Sequence, residues 1–523
     1  MTPMGDVSAL ADDASARRAV IDIGSNSVRL VVYDGPRRAP FAVCNEKALC
    51  GLGRDMTEDG RLNPDNAAFA LATLTRFRRV LDDLKPDRVQ AVATAAVRAA
   101  VDGADFVRKA NALGFDIEII DGAEEATLAA YGVMSYEPSA SGIIGDMGGG
   151  SLELVHVNDA DIRKSTSLPI GPLKLMQAHP EVSPGLKKAI DQSIGGVKWL
   201  AKSNAKKLYV VGGAWRALAR LHMSLRDYPL SVLHHYEFTA KEAIELCEFV
   251  AKQSRQSLQN IPDVPRRRID TLPYAALVLR SVVKTSGVDG LLVSAGGLRE
   301  GTLFADLSPL ERSQDPLLVG AQFLANRMAP MPAFGQKAGI ATDGLFPTDT
   351  PAQARVRHAA CRLVDIGAFF HPDLRALHAF ESALRAPFYG VSHQERVIIA
   401  SALYVRHEGL SAPSPNDRLT AILSPEERAY AERLGLALRF LSSYAPKSPQ
   451  LLEHCALSRE PGKIVFTMPT GGEQLFQELA KRRFDALAAA FEAEAEIAYV
   501  DAGLSDSPGD EVNAEDESAG VAG

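Results

Sequence analysis

Hydrophobic positions along the chain alternate between strand-like runs and helical spacing. Apolar runs at 19–21 and 28–33 flank Asp22-Ile23-Gly24-Ser25-Asn26-Ser27 and predict a β-hairpin with an acid at its tip. Phe69, Leu71, Leu74, Phe77, Val80, Leu81 and Leu84 recur at helical spacing and predict a helix over 64–84. A strand over 89–93, a helix over 102–113, a strand over 116–120 and a helix over 124–134 follow. That alternation is the pattern of an α/β domain.

The opening pattern then returns. With an offset of 124 residues, Asp22 meets Asp146, Gly24 meets Gly148, Ser27 meets Ser151, and Leu30-Val31 meets Leu154-Val155. An acid, a glycine and a serine at one spacing within matching apolar flanks predict a duplication. Two related α/β halves would then face each other across a cleft, each offering a loop and an acid. Further Gly-rich turns follow the strands predicted at 208–211 (Gly212-Gly213-Ala214) and 291–293 (Ser294 to Gly301). A linker is expected over 307–316, then a helix-rich region over 317–441, a strand over 463–468 and a long helix over 473–496.

The expected organisation is a flexible leader (1–17), α/β domain I (18–135), α/β domain II (136–310), a helical domain (311–445), a small C-terminal segment (446–500) and a disordered acidic tail (501–523). Composition supports a globular protein, with 46% hydrophobic and 23% charged residues. The net charge of −8 is concentrated in the tail, whose seven acids have no Lys or Arg among them, so the body is nearly neutral. Nothing in this balance suggests a nucleic-acid partner. No apolar run approaches the roughly 18 residues of a membrane span, and the acidic N-terminus lacks a secretory pattern. Five scattered cysteines without a CxxC pair fit a reducing cytoplasm.

Glycine turns after buried strands let backbone N–H groups approach phosphate oxygens. Asp146 would end one strand while Ser151 and Glu153 share a face of the next, bringing two carboxylates and a hydroxyl beside Gly148-Gly149-Gly150. That all-oxygen environment suits Mg²⁺ together with phosphate, and Asp22 would add a third carboxylate. Glu124 and Glu125 open a helix, where acids cap; one of them is also placed to orient an attacking water. Arg266-Arg267-Arg268 reads either as a solvated basic loop or as the wall of an anion path. Five histidines lie between His358 and His407, but Val364-Asp365 stands where a metal-dependent HD phosphohydrolase needs His-Asp, so its ligand set is incomplete. GxxxxGK[ST], GxGxxG, HExxH and GxSxG patterns are absent.

Several segments together resemble the exopolyphosphatase/guanosine pentaphosphate phosphohydrolase family, a branch of the actin, sugar-kinase and heat-shock-chaperone ATPase fold. They are 21–30, 93–98, 119–126, 145–154, 268–273 and 297–301, in family order. The resemblance implies two actin-like (ribonuclease H-like) α/β domains flanking a cleft, then a mostly α-helical HD-like domain and a small C-terminal segment. It implies a catalytic Glu125, magnesium carboxylates at Asp146, Glu153 and Asp22, and phosphate-gripping Ser25, Asn26, Arg98, Gly148, Gly149, Ser151 and Arg268. The cofactor implied is Mg²⁺ or Mn²⁺, and the expected state is a cytoplasmic homodimer. The activity implied is release of orthophosphate from polyphosphate ends, with guanosine pentaphosphate (pppGpp) hydrolysis, and ppGpp as a further partner, as the alternative. An actin-fold ATPase or sugar kinase is disfavoured for want of an adenosine-pocket signature. A non-catalytic polyphosphate or alarmone binder would not require Glu125, Asp146 and Glu153 together. The third loop departs from the family pattern: Trp215-Arg216 stands where a small residue and Thr or Ser are usual, which narrows the cleft or adds a cation.

Overall fold

The computed structural model describes residues 17–261 and 265–501. The expected leader, apart from Arg17, and the acidic tail, apart from Asp501, lie outside the described residues.

The first half is a five-stranded sheet in the order β3-β2-β1-β4-β5, from β1 (Arg18–Ile23), β2 (Val28–Asp34), β3 (Phe41–Ala48), β4 (Arg88–Ala93) and β5 (Ile117–Ile119). The second comprises β6 (Gly142–Met147), β7 (Leu152–Asn158), β8 (Asp161–Leu168), β9 (Lys207–Val211), β10 (Glu237–Thr239) and β11 (Gly290–Val293), in the order β10-β11-β9-β6-β7-β8. Apart from edge strand β10, the orders correspond strand for strand. In each, an antiparallel three-stranded meander is followed by strands parallel to its first member.

The 124-residue offset holds in detail. Gly24 N–H donates to Ser27 O at 3.0 Å, and Gly148 N–H to Ser151 O at 3.0 Å. Each meander carries a register shift at the matching place, between Val32 and Tyr33 and between His156 and Val157. A bulge redirects the strand after it, so both third strands reach the cleft in the same way. The helix over 64–84 has the expected bounds: Asn63 caps it, and Ala70, Leu74, Phe77 and Leu81 face the first sheet's core.

Two helices exchange partners between the halves. The helix Gly122–Tyr136, expected in domain I, buries Ala126, Ala130 and Val133 against Ile144, Val155 and Val211 of the second sheet. The helix Leu298–Ala305, from the second half, sets Leu303 against Val20 and Val31 of the first. In packing terms the division expected at 135/136 therefore falls before the 122–136 helix. The two helices cross backbone to backbone, and a Cβ on Gly301 would stand 1.7 Å from Leu128 O.

The expected linker is partly helical, over Pro309–Ser313, with Glu311 paired to Arg37 at 3.1 Å. Helices from Pro316 to Tyr444 follow. The C-terminal segment shares their core rather than forming its own: Phe440 meets Phe466 and Phe484 with ring centroids 4.8 and 4.9 Å apart. The long helix expected to 496 ends at Ala490, Glu492 turns left-handed (φ 56°), and 494–500 is a strand. Glu-Ala-Glu-Ile-Ala-Tyr-Val alternates with the period of an edge strand and pairs in parallel with the strand Lys463–Pro469. Among the described residues no helix is long and apolar enough to cross a membrane.

Candidate active site

The hairpin tips 24–27 and 148–151 meet across a cleft cavity of about 190 Å³, which also takes in Glu125, Arg216, Arg268 and Arg299. The cavity is polarised by two rows of side chains. Asp22, Arg29 and Lys47 stand opposite one another across β1, β2 and β3. The same three places on β6, β7 and β8 hold Asp146, Glu153 and Ser167. Cross-strand neighbours share a face, so one sheet presents cations where the other presents an acid and a hydroxyl.

The acidic side is completed by the 122–136 helix. Asp121 caps it by accepting from Ala123 and Glu124 N–H groups, and Glu124 returns the bond by accepting from Asp121 N–H at 2.8 Å. Of the two glutamates, Glu124 caps and Glu125 enters the cavity. Arg98 donates to Glu125 Oε2 at 3.1 Å and to Ile120 O at 2.6 Å. Ser167 Oγ donates to Glu153 Oε1 at 2.9 Å.

Burial is the largest influence on all three acids and lifts each of them. Glu125 is raised to about 7: Arg98 opposes the rise, while Asp146 and Asp22 add to it. Asp146 is raised to about 6, with Arg216 and Arg299 opposing, Asp22 and Glu300 adding. Glu153 is pushed well above the carboxylate range by burial, then by Glu125 and Asp146. Among the described residues neither Asp146 nor Glu153 has an ion pair, and Ser151 Oγ is buried without a partner. Buried carboxylates with an orphaned hydroxyl beside them fit a hard divalent cation, which holds acids in their ionised form and takes its remaining ligands from phosphate oxygens.

On the other wall, Arg29, Lys47, Arg267 and Arg268 have no carboxylate partner among the described residues. Lys47, exposed on its strand, is lowered to about 8 by partial desolvation at the cleft, then by Arg268, Arg29, Arg267 and Arg299. Arg268 is lowered to about 10 by burial, then by Arg267 and Arg216. Crowded cations of this kind are relieved by a multiply charged anion. Gly213 makes room for one of them, since a Cβ there would lie 2.1 Å from Arg268 Nη2.

Of the sequence-expected residues, Ser25, Asn26, Gly148, Gly149, Ser151 and Arg268 line the cavity with Asp22, Glu125, Asp146 and Glu153. Two of the expected residues have ion-pair partners of their own. Arg98 stands behind Glu125 and lines a neighbouring cavity. Asp22 Oδ2 accepts from Arg299 Nη1 at 3.1 Å, so one oxygen of this acid is shared with a guanidinium. In the third loop, Trp215 is core, under Gly145 and donating to Ala275 O at 3.0 Å. Arg216 supplies the cation, anchored on Ser294 O and Ala295 O at 2.9 and 2.8 Å.

Sequence reasoning missed Arg29, Lys47 and Arg299. The repeat itself carried a signal for Arg29, which stands 124 residues before Glu153. At the HD-like position, Val364 is buried core and Asp365 accepts from Arg406 Nη2 at 2.7 Å, so a guanidinium occupies the acid. One close His/Glu group among the described residues is Glu137, His234 and His235. His234 Nδ1 accepts from Ala295 N–H at 3.1 Å, which leaves its proton on Nε2 and no lone pair there for a metal.

The Ppx/GppA phosphatase family matches residues 31–309, and the C-terminal exopolyphosphatase domain matches residues 336–497. Retrograde regulation protein 2 of Saccharomyces cerevisiae is 26% identical over 432 residues, covering 75% of this chain and 72% of its own. Exopolyphosphatase 2 of Mycobacterium tuberculosis is 27% identical over 312 residues, 55% of this chain and 98% of its own. The crystal structure of an exopolyphosphatase from Cytophaga hutchinsonii is similar at 25% identity and a TM-score of 0.52, covering 56% of this chain and 99% of that one. With its duplicated α/β halves, its cleft of opposed acids and cations and these matches over both parts of its length, the chain belongs to the Ppx/GppA phosphatase family.

Proposed function

We propose that the protein is an exopolyphosphatase that hydrolyses the terminal phosphoanhydride bond of inorganic polyphosphate with Mg²⁺ or Mn²⁺. The observation that carries this reading is the polarised cleft: Asp146, Glu153 and Glu125 face Arg29, Lys47 and Arg268 across one cavity. The cationic wall suits a chain with a charge on every phosphate. The acidic wall suits the terminal phosphoryl group and its cation.

Asp146 and Glu153 would hold the cation, which when bound neutralises charge on the phosphoryl oxygens. Backbone N–H groups at 149–151 and 25–27, with the free Ser151 hydroxyl, orient those oxygens. Glu125 accepts a proton from water and aims it in line with the breaking bond. Arg98 keeps part of the Glu125 population ionised near neutrality. The shortened chain leaves along Arg29, Lys47 and Arg268 as a phosphate anion that needs no proton. In a loose transition state, positioning and charge neutralisation contribute more than proton abstraction.

Glu125 works as the carboxylate, so activity is lost as pH falls and it takes up a proton. Burial raises its pKa to about 7 in the metal-free site, and a cation on Asp146 and Glu153 would move that limb to lower pH. The test is phosphate release from long-chain polyphosphate, pppGpp and ATP in parallel, with Glu125→Gln as control. Polyphosphate turnover that the variant lowers by roughly 10²–10⁴-fold supports the reading. Cleavage of pppGpp alone moves the substrate to the alarmone at the same site. Cleavage of ATP alone, or a fully active variant, overturns it.

A further inference from the structure

A second cavity of about 420 Å³ lies beside the first. The two share Ser25, Gly150 and Ser151 as a common wall, where the hairpin tips touch: a Cβ on Gly150 would stand 3.0 Å from Ser25 Oγ. Glu125 lines the first cavity and Arg98 the second, and their 3.1 Å ion pair joins the two. The outer rim carries Ala99, Lys174 and Gln177, all exposed, so this cavity reaches solvent. Lys174 has no carboxylate partner among the described residues.

We infer that this second opening is where water enters and orthophosphate leaves, with Arg98 and Lys174 as the cations that pass the anion outward. The inference rests on the exopolyphosphatase reading and extends it. In-line displacement puts the attacking water and the leaving chain on opposite sides of phosphorus. The cationic wall takes the leaving chain, so water comes from the side of Glu125. There the new P–O bond forms, and there the Glu125–Arg98 pair adjoins the second cavity. A long chain that remains on Arg29, Lys47 and Arg268 after cleavage obstructs the mouth, so its released phosphate needs another way out. The second cavity is more sparsely charged than the first, which suits passage of an anion better than retention.

The test plugs the rim of the full-length protein with Ala99→Trp and reverses its charge with Lys174→Glu. Phosphate is measured by rapid quench in the first turnover and continuously at steady state, on long-chain polyphosphate and on tripolyphosphate. Tripolyphosphate leaves only diphosphate, which vacates the mouth each cycle. The expected result for Ala99→Trp is a first turnover at the wild-type rate followed by a steady state about tenfold slower on long chains, as release becomes limiting. On tripolyphosphate the same variant stays within about twofold of wild type, and Lys174→Glu shows the same pattern at roughly threefold. Equal slowing on both substrates in the first turnover, or no slowing by either variant, overturns the exit route while leaving the hydrolase reading in place. Wild-type protein inactive on both substrates overturns the exopolyphosphatase reading on which the route rests.

Discussion

The two α/β halves are the same structure with opposite chemistry. Strand order and meander repeat, and the hairpin-tip hydrogen bond and register shift do so at an offset of 124 residues. Yet the row Asp22, Arg29, Lys47 in one becomes Asp146, Glu153, Ser167 in the other. Even the matching acid differs in its commitment: Asp22 is held by Arg299, while Asp146 has no ion pair among the described residues. A duplicated backbone fixes where side chains arrive in the cleft. A few substitutions then give the two rows opposite charge, and Arg267 and Arg268 of the second half join the cationic row of the first.

If the second row is the catalytic one, Glu153→Gln is the most damaging way to blur the comparison, expected to lower turnover by about 10²–10³-fold. If the first row grips substrate, Arg29→Gln removes one charge-assisted contact and lowers kcat/KM by roughly 10–100-fold, mainly through KM. The crossing that ties the halves together is probed by Gly301→Ala. The added methyl would meet Leu128 O, so thermal unfolding should show a loss of about 1–3 kcal/mol. Arg98→Gln should have the smallest effect on the rate maximum. It removes the main influence holding Glu125 down, so the acid limb of the pH–rate profile moves to higher pH.

Much of this was legible in the chain. The first hairpin, the helix over 64–84 and the repeat at 124 are local patterns written in spacing and turn residues. β3 was not legible, because Phe-Ala-Val-Cys-Asn-Glu-Lys-Ala alternates weakly and is largely exposed; Lys47 was lost with it. The Asp22–Arg299 pair joins residues 277 apart in sequence and is a product of the fold alone. Trp215 read as an intrusion into the cleft, yet the missing side chain of Gly145 gives its ring a place in the core. The last helix was overextended because an alanine-rich run hid the period-two pattern that follows Ala493.

The most direct test of the division between the halves is a magnesium titration of phosphate release in Asp146→Asn and Asp22→Asn. The account predicts that Asp146→Asn raises the magnesium concentration for half-maximal activity by about 10–100-fold, while Asp22→Asn keeps it within about twofold and weakens substrate binding instead. A shift in Asp22→Asn as large as that in Asp146→Asn, or none in either, would contradict it.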